Sequence, residues 1–508
     1  MAKICLCLTA KTLERNLEIL GKYRRYADVA ELRVDCLDPD ERLLIRRFPE
    51  QADIPVILAI RRAVDGGNFS GGEGARINLM ARGLAYADAD KRRNFAYLDI
   101  EEDLEVPSLE EAARTFGTRI IRSYHNTRGT DGNLAAKICS MRHIGDEIVK
   151  VAVKTDTTAE VLQLLRAGRE CAGQEKILVA MGHFGVYSRI LSEQFGSCLT
   201  YSSALFEPDT QSAAPGQLDI QELDQLYRFR GITGATKVYG VTGFPLKVTG
   251  SPHYFNTILK LEDIDAVYVP FPADSINDLM ELAGELHVEG LSVTVPYKEA
   301  VIPFLESQSP EVKSIAACNT MSLGPRGWIG TNTDAGGFSD SLLAFTGRSN
   351  LKRQRVTVIG AGGAARAVVY ELHRLGAKVL ILNRTAHKAR SLAALYRFEW
   401  GGMDNQGIAM IDKYRDIIIQ TTPAEMEGHD TNEAAPAAMY SFSGREKVMD
   451  LVYQPEMTAF LKRAADAGCR VQNGYDMLIR QARYQYTEFT GREIPEHLVS
   501  RVQFKKAQ

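Results

Sequence analysis

Short runs of β-branched and apolar residues recur at regular intervals through the first part of the chain. They are KICLCL (3–8), VAELRV (29–34), IPVILAI (54–60), FAYLDI (95–100), TRIIRSY (118–124), EIVKVAV (147–153), KILVAM (176–181) and CLTYSS (198–203). Each precedes a segment whose apolar residues stand three and four apart. Thr157 to Arg169 places Val161, Leu164, Leu165 and Gly168 on one helical face, and Gly132 to Arg142 does the same with Leu134, Ile138 and Met141. Parallel strands need helical crossovers, and closing the sheet removes its edges. Eight such units therefore predict an α/β fold that begins with a (β/α)8 TIM barrel, its site at the C-terminal strand ends.

That expectation singles out particular side chains. In strand six Val149, Val151 and Val153 point one way, and Lys150, Ala152 and Lys154 the other. An amine held mid-strand among apolar neighbours is poorly hydrated, which favours the free base that a Schiff-base nucleophile needs. An ion-paired lysine inside a barrel fits the same pattern, and Lys154, nearer the rim, is the rival amine. Strand five ends at Tyr124 and delivers His125 to the mouth, where an imidazole can move protons near neutral pH. Glu31 and Arg33 share one face of strand two, and Arg61 and Arg62 close strand three. Arginines there suit a carboxylate, although surface ion pairs would use them equally.

The barrel pattern stops near Arg230 to Thr236, and KVYGVTG (237–243) opens a second αβ pattern. Farther on, RVTVIGAGGAARAVVYEL runs from a strand (355–359) through Gly360, Gly362, Gly363 and Ala364 into a helix, followed by the strand KVLIL (378–382). Strand, glycine turn, helix and strand are the context a dinucleotide fold demands, because glycines let N–H groups approach a pyrophosphate at the helix N-terminus. Where an NAD site would place an acid against the ribose, this strand ends in Asn383, Arg384 and Thr385, with Lys388 nearby. Arg384 can meet a 2′-phosphate with its planar fork, so the expected cofactor is NADP.

Composition narrows the partners. The 508 residues carry 61 basic and 64 acidic side chains, a net charge of only -3, so no strong field favours nucleic acid or an anionic membrane. The eight cysteines form no CxxC pair, and HExxH is absent, so neither a metal site nor a disulfide framework is expected. No apolar run reaches eighteen residues and the first residues lack a leader pattern. These features predict a cytoplasmic monomer acting on small molecules.

Six motifs in order, ELRVD, RRAVDGG, SYHNT, IVKVAVKT, MGHFGVYSR and SAAPGQ, make residues 1–232 resemble type I 3-dehydroquinate dehydratase. The resemblance implies that Lys150 forms an imine with the substrate ketone and that His125 is its general acid and base. Glu31, Arg33, Arg61, Arg189 and Gln217 become the implied substrate set, with Arg189 on the carboxylate. Ala213 stands where that family has serine, and Asp65 where it has glutamate.

GFPLKVTGSP, GLSVTVPYKE, AACNT, GTNTDAGGF, GAGGAA, NRT, DLVYQPEMT and GYDMLIRQA likewise resemble shikimate dehydrogenase over most of residues 237–495. This implies that Lys298 and Asp334 are the catalytic pair, with Thr249, Ser251, Thr294, Asn319 and Gln481 against the substrate. Val248 stands where histidine is common, Thr249 replaces a serine, and Ser292 stands where asparagine is frequent before VTVP. The predicted organisation is a barrel (1–232), an αβ substrate domain (236–345), a Rossmann domain (350–470) and a C-terminal helical segment (471–508) that packs back on the substrate domain. Two alternatives stay open: a quinate-preferring dehydrogenase, and one half that only binds.

Overall fold

The computed structural model describes residues 2–85, 88–130, 132–141, 143–171, 173–246, 249–424, 440–499 and 501–504. Val248 lies outside them. Contacts divide the chain into two compact units, Met1–Val288, to which Phe504 also belongs, and Glu289–Gln503.

The first unit opens with eight strands: β1 (Lys3–Leu8), β2 (Val29–Arg33), β3 (Val56–Ala59), β4 (Tyr97–Glu101), β5 (Arg119–Asn126), β6 (Ile148–Lys154), β7 (Lys176–Met181) and β8 (Leu199–Ser203). Their order is β8-β1-β2-β3-β4-β5-β6-β7, and neighbouring strands in it pair in parallel. The seam between β7 and β8 is bridged where Cys198 N–H donates to the Lys176 carbonyl at 2.9 Å. Cys5, Val29, Ile57, Ile121, Ile148 and Ile177 fill the interior, as inward residues of a packed barrel do. Strand β5 runs two residues beyond its expected end, so His125 belongs to the strand itself.

The crossover after β6 shows why the helices form. Thr157 accepts from Glu160 N–H, and the Glu160 carboxylate accepts from Thr157 N–H, a capping box that starts helix Thr158–Glu170. Val161, Leu164, Leu165 and Gly168 are buried on its inner face. The unit continues into the parallel pair β9 (Lys237–Gly243) and β10 (Ala266–Pro272).

The cysteine expectation needs correction. Cys139 and Cys171, on successive crossovers, form a disulfide. Their separation of 32 residues and absence of a motif hid the pairing, which arises because the helix carrying Cys139 lies beside the helix that ends at Cys171.

In the second unit β11 (Val288–Val293), beginning at the division, pairs antiparallel with a later strand, whereas β12 (Leu305–Gln308) lies at an edge. The partner of β11 is β13 (Thr320–Gly324), which forms a hairpin with β14 (Gly327–Thr331); β14 then pairs parallel with β12. Next come β15 (Arg355–Ile359), β16 (Lys378–Asn383), β17 (Glu399–Gly402), β18 (Ile417–Gln420), β19 (Lys447–Asp450) and β20 (Arg470–Gln472). They make a parallel sheet ordered β17-β16-β15-β18-β19-β20, the doubly wound dinucleotide-fold order. Among the described residues no helix is long and apolar enough to cross a membrane.

Candidate active sites

The barrel cavity opens at the C-terminal strand ends and is walled by Lys150, His125, Glu31, Arg61, Arg189 and Gln217. Register explains the grouping, since β5 and β6 pair Ser123 with Lys150 and His125 with Ala152. Lys150 is 5% exposed. Its Nζ donates to Asp99 Oδ2 at 2.9 Å, lies 3.7 Å from Glu31 Oε1 and stands 4.3 Å from the centre of the Tyr201 ring. Lys154, the rival amine, is far more exposed and pairs with Asp156 at 2.7 Å.

Asp99 anchors the cluster. Burial alone would raise its pKa, but Arg61 and then Lys150 outweigh that and hold the carboxyl well below the usual range. Arg61 Nη2 reaches Asp99 at 2.9 Å, and its Nη1 reaches Glu101 at 2.7 Å. Arg61 is thus committed to carboxylates inside the protein. Arg33 makes a two-pronged pair with Asp35 at 2.8 and 2.9 Å, and its Nη1 donates to the Ala213 carbonyl at 3.3 Å.

His125 is different. Desolvation, then Arg61 and Lys150, push its pKa well below 6.5, so the imidazole is neutral, and its buried Nδ1 has no hydrogen-bond partner among the described residues. Arg189 is buried, donates to the Pro215 carbonyl at 3.0 Å, and leaves Nε without a partner. No carboxylate pairs with it among the described residues, and burial lowers its pKa to about 10. Gln217 is held by Ala213 N–H at 2.9 Å and donates to Cys7 Sγ at 3.4 Å.

Thr249 and Ser251 also belong to the first unit. Thr249 Oγ1 donates to Ser251 Oγ at 3.1 Å and accepts from Ser251 N–H at the start of helix Ser251–Leu261. Thr249 lines a larger cavity that also carries Gln217 on its wall.

In the second unit Lys298 Nζ donates to Asp334 Oδ2 at 2.6 Å, both side chains part-exposed. Backbone contacts fix them: Cys318 N–H donates to the Lys298 carbonyl at 2.7 Å, and Asn332 caps helix Thr333–Thr346, whose first turn carries Asp334. Asn319 is buried, accepting from Thr333 N–H at 2.7 Å and donating to Thr333 Oγ1 at 2.9 Å. Gln481 sits on helix Tyr475–Thr490, with Thr333 Oγ1 3.5 Å from its Oε1. A Cβ at Gly337 would stand 2.7 Å from Gln481 N, so glycine there lets the two helices approach. Thr294 is exposed just beyond β11.

The nucleotide-fold residues meet at the C-terminal edge of the last sheet. Gly360 follows β15 with φ +116°, a conformation that favours glycine, and a Cβ there would collide with Thr421 Oγ1. Gly362 and Gly363 are open toward solvent at the start of helix Gly363–Arg374, with Ala364 in its first turn. Asn383 donates to the Thr385 carbonyl at 3.0 Å, and Arg384 and Lys388 are exposed. Open N–H groups, absent bulk and no acid at the end of β16 fit a phosphorylated dinucleotide.

Three family models match the chain. The model of type I 3-dehydroquinase matches residues 4–234, that of the shikimate dehydrogenase substrate binding domain 241–321, and that of shikimate / quinate 5-dehydrogenase 343–441. Shikimate dehydrogenase (NADP(+)) of Carboxydothermus hydrogenoformans is 35% identical over 51% of this chain and 94% of that protein. The chain belongs to the shikimate dehydrogenase family, fused to a type I 3-dehydroquinase. The fusion has whole-length relatives. The chloroplastic bifunctional 3-dehydroquinate dehydratase/shikimate dehydrogenase of Arabidopsis thaliana is 29% identical over 99% of this chain and 84% of that protein. The pentafunctional AROM polypeptide of Zygosaccharomyces rouxii is 27% identical over 96% of this chain, which spans 31% of its length.

In the dehydratase half, sequence reasoning missed Asp99, Ser123 and Tyr201. Alternation in YLDIE already placed Asp99 and Glu101 on one face of β4, a usable signal. In the dehydrogenase half it missed Gln485, which lies one helical turn from Gln481.

Proposed function

We propose that the barrel dehydrates 3-dehydroquinate to 3-dehydroshikimate and that the dehydrogenase half reduces this ketone to shikimate. The segments doing so are the four the sequence predicts, 1–232, 236–345, 350–470 and 471–508, in a cytoplasmic monomer without nucleic-acid or membrane partners.

The observation that carries the first step is a buried lysine sharing one cavity with a neutral imidazole whose Nδ1 has no hydrogen-bond partner among the described residues. The Lys150 amine adds to the C3 ketone, and water leaves to form a protonated imine. That cation withdraws electrons, so His125 removes a proton from the adjacent carbon and gives an enamine. The enamine expels the β-hydroxyl, protonated by His125, as water. Hydrolysis of the remaining imine returns Lys150 and the product ketone. Asp99 keeps the cationic forms of Lys150 in place throughout. Arg189, without an internal counter-ion among the described residues, takes the substrate carboxylate.

For the second step, NADP fits the open glycine turn and the basic end of β16, and when bound in reduced form it supplies hydride. Lys298 donates to the ketone oxygen as charge builds there and provides the proton, while Asp334 orients the ammonium. Asn319 and Gln481, with Thr294, hold the ring hydroxyls and carboxylate.

Incubating the protein with 3-dehydroquinate and NADPH tests both steps, with shikimate expected by mass spectrometry as NADPH absorbance falls. Borohydride should trap substrate on the native chain, and Lys150→Ala should abolish the adduct while reduction of added 3-dehydroshikimate persists. An adduct in that variant assigns the chemistry to another amine.

A further inference from the structure

The dehydrogenase half contains a buried polar network that the residues read from sequence do not explain. Its centre is Gln485, 5% exposed on helix Tyr475–Thr490, with both ends of its amide engaged. Oε1 accepts from Ser292 Oγ at 3.0 Å. Nε2 donates to Thr320 Oγ1 at 3.1 Å and to the Asn319 carbonyl at 3.3 Å. Ser292 and Thr320 are register partners on β11 and β13, so the amide ties two strands to a helix at one point.

The network runs on toward the reacting groups. Thr320 Oγ1 donates to Asn319 Oδ1 at 3.0 Å, and the Asn319 amide grips Thr333 at both its N–H and its hydroxyl. Thr333 begins the helix whose next residue is Asp334, and Asp334 holds Lys298. Satisfied buried networks of this kind fix one geometry, because a displaced donor or acceptor finds no water to replace its partner. Ser292 adds a second reason. Its buried hydroxyl donates to Gln485 Oε1, so this β11 side chain takes its partner from the neighbouring helix.

We propose that Gln485 is a positioning residue of the reductase site, orienting Asn319 and Ser292 toward the substrate and, through Thr333, the Asp334 carboxylate. This rests on the reading that Lys298, Asp334 and Asn319 serve the reduction. Gln485 does not itself touch the reacting atoms. Its loss should therefore act on substrate placement and leave nucleotide binding alone.

The test uses the full chain. Gln485→Leu keeps the volume and removes the amide. The expected result is a fall of about tenfold or more in kcat/KM for 3-dehydroshikimate, chiefly through KM, with KM for NADPH within about twofold and dehydration of 3-dehydroquinate unchanged. Returning an amide from the strand in the double variant Ser292→Asn/Gln485→Ala should recover most of the loss. If Gln485→Leu does not fold, Gln485→Asn, which withdraws the amide by one methylene, is read on the same ratio. Unchanged kinetics, an equal rise in both KM values, or no recovery in the double variant would overturn the proposal. Lys298→Ala separates the two readings. If that variant still reduces the ketone, the assignment of the site fails; if it is dead while Gln485→Leu is silent, only the positioning role fails.

Discussion

Replacing Arg189 by leucine should make the barrel more stable and nearly unable to use its substrate. The guanidinium is buried, bonded at Nη2 to one carbonyl, and without a carboxylate partner among the described residues. Burial lowers its pKa to about 10, well below the ordinary guanidinium value, and at roughly 1.4 kcal/mol per tenfold this is a penalty of about 3 kcal/mol for keeping the charge inside. The folded-state value lies below the unfolded one, so the penalty is present in full below about pH 10 and fades only as pH climbs from there toward the ordinary guanidinium value. Arg189→Leu removes it and loses some packing, for a net gain of about 1–3 kcal/mol, or roughly 2–8 °C in the barrel transition. The carboxylate does not react, so its lost pair should appear in KM. Charge-assisted bonds of roughly 1.5–3 kcal/mol each predict a fall of at least about a hundredfold in kcat/KM. Differential scanning calorimetry and a dehydration assay by product absorbance measure both quantities. In addition, 3-dehydroquinate should raise Tm in the native chain and not in the variant. A variant with lower Tm and unchanged KM would make Arg189 a structural residue and refute the reasoning.

Other outcomes follow from the structure. Because the His125 pKa is depressed well below 6.5, dehydratase kcat/KM should stay level from pH 7.5 down to 6.5 and fall only at lower pH; an acid limb centred at or above 6.5 would contradict the neutral buried imidazole. The same sign means that protonating His125 opposes folding, so its effect on stability appears only below about pH 6.5 and grows as pH drops. Gly360→Ala forces a side chain against Thr421 at φ +116°, with strain of about 1–3 kcal/mol; KM for NADPH should rise while dehydration is untouched, and unchanged nucleotide binding would count against the turn. The Cys139–Cys171 bond should appear as a linked peptide in non-reducing mass spectrometry, and Cys139→Ala should lower barrel stability by about 3–4 kcal/mol for a loop of this length.

Much of this protein was written locally. Alternation and helical spacing located all eight barrel strands, because each strand must bury one face whatever its neighbours are. The glycine turn after β15 was legible for a similar reason: only glycine accepts that backbone angle. Ordered motifs pointed to both halves and to Lys150, His125, Lys298 and Asp334.

What sequence left open was decided by partners far away in the chain. Strand period put Lys150 and Lys154 on one face, but only the folded barrel brought Asp99, 51 residues earlier, to Lys150 while Lys154 reached the rim and paired with Asp156. Strand position offered Arg33 and Arg61 to a carboxylate, whereas only the family resemblance pointed to Arg189. Tertiary structure consumed Arg33 and Arg61 with internal acids and, among the described residues, left Arg189 without one. The disulfide and the Gln485 network carry no local signature at all, since each joins segments that meet only through packing. Local patterns determine which face a residue takes; the charge and hydrogen bonding it meets there depend on long-range neighbours, and those set its chemistry.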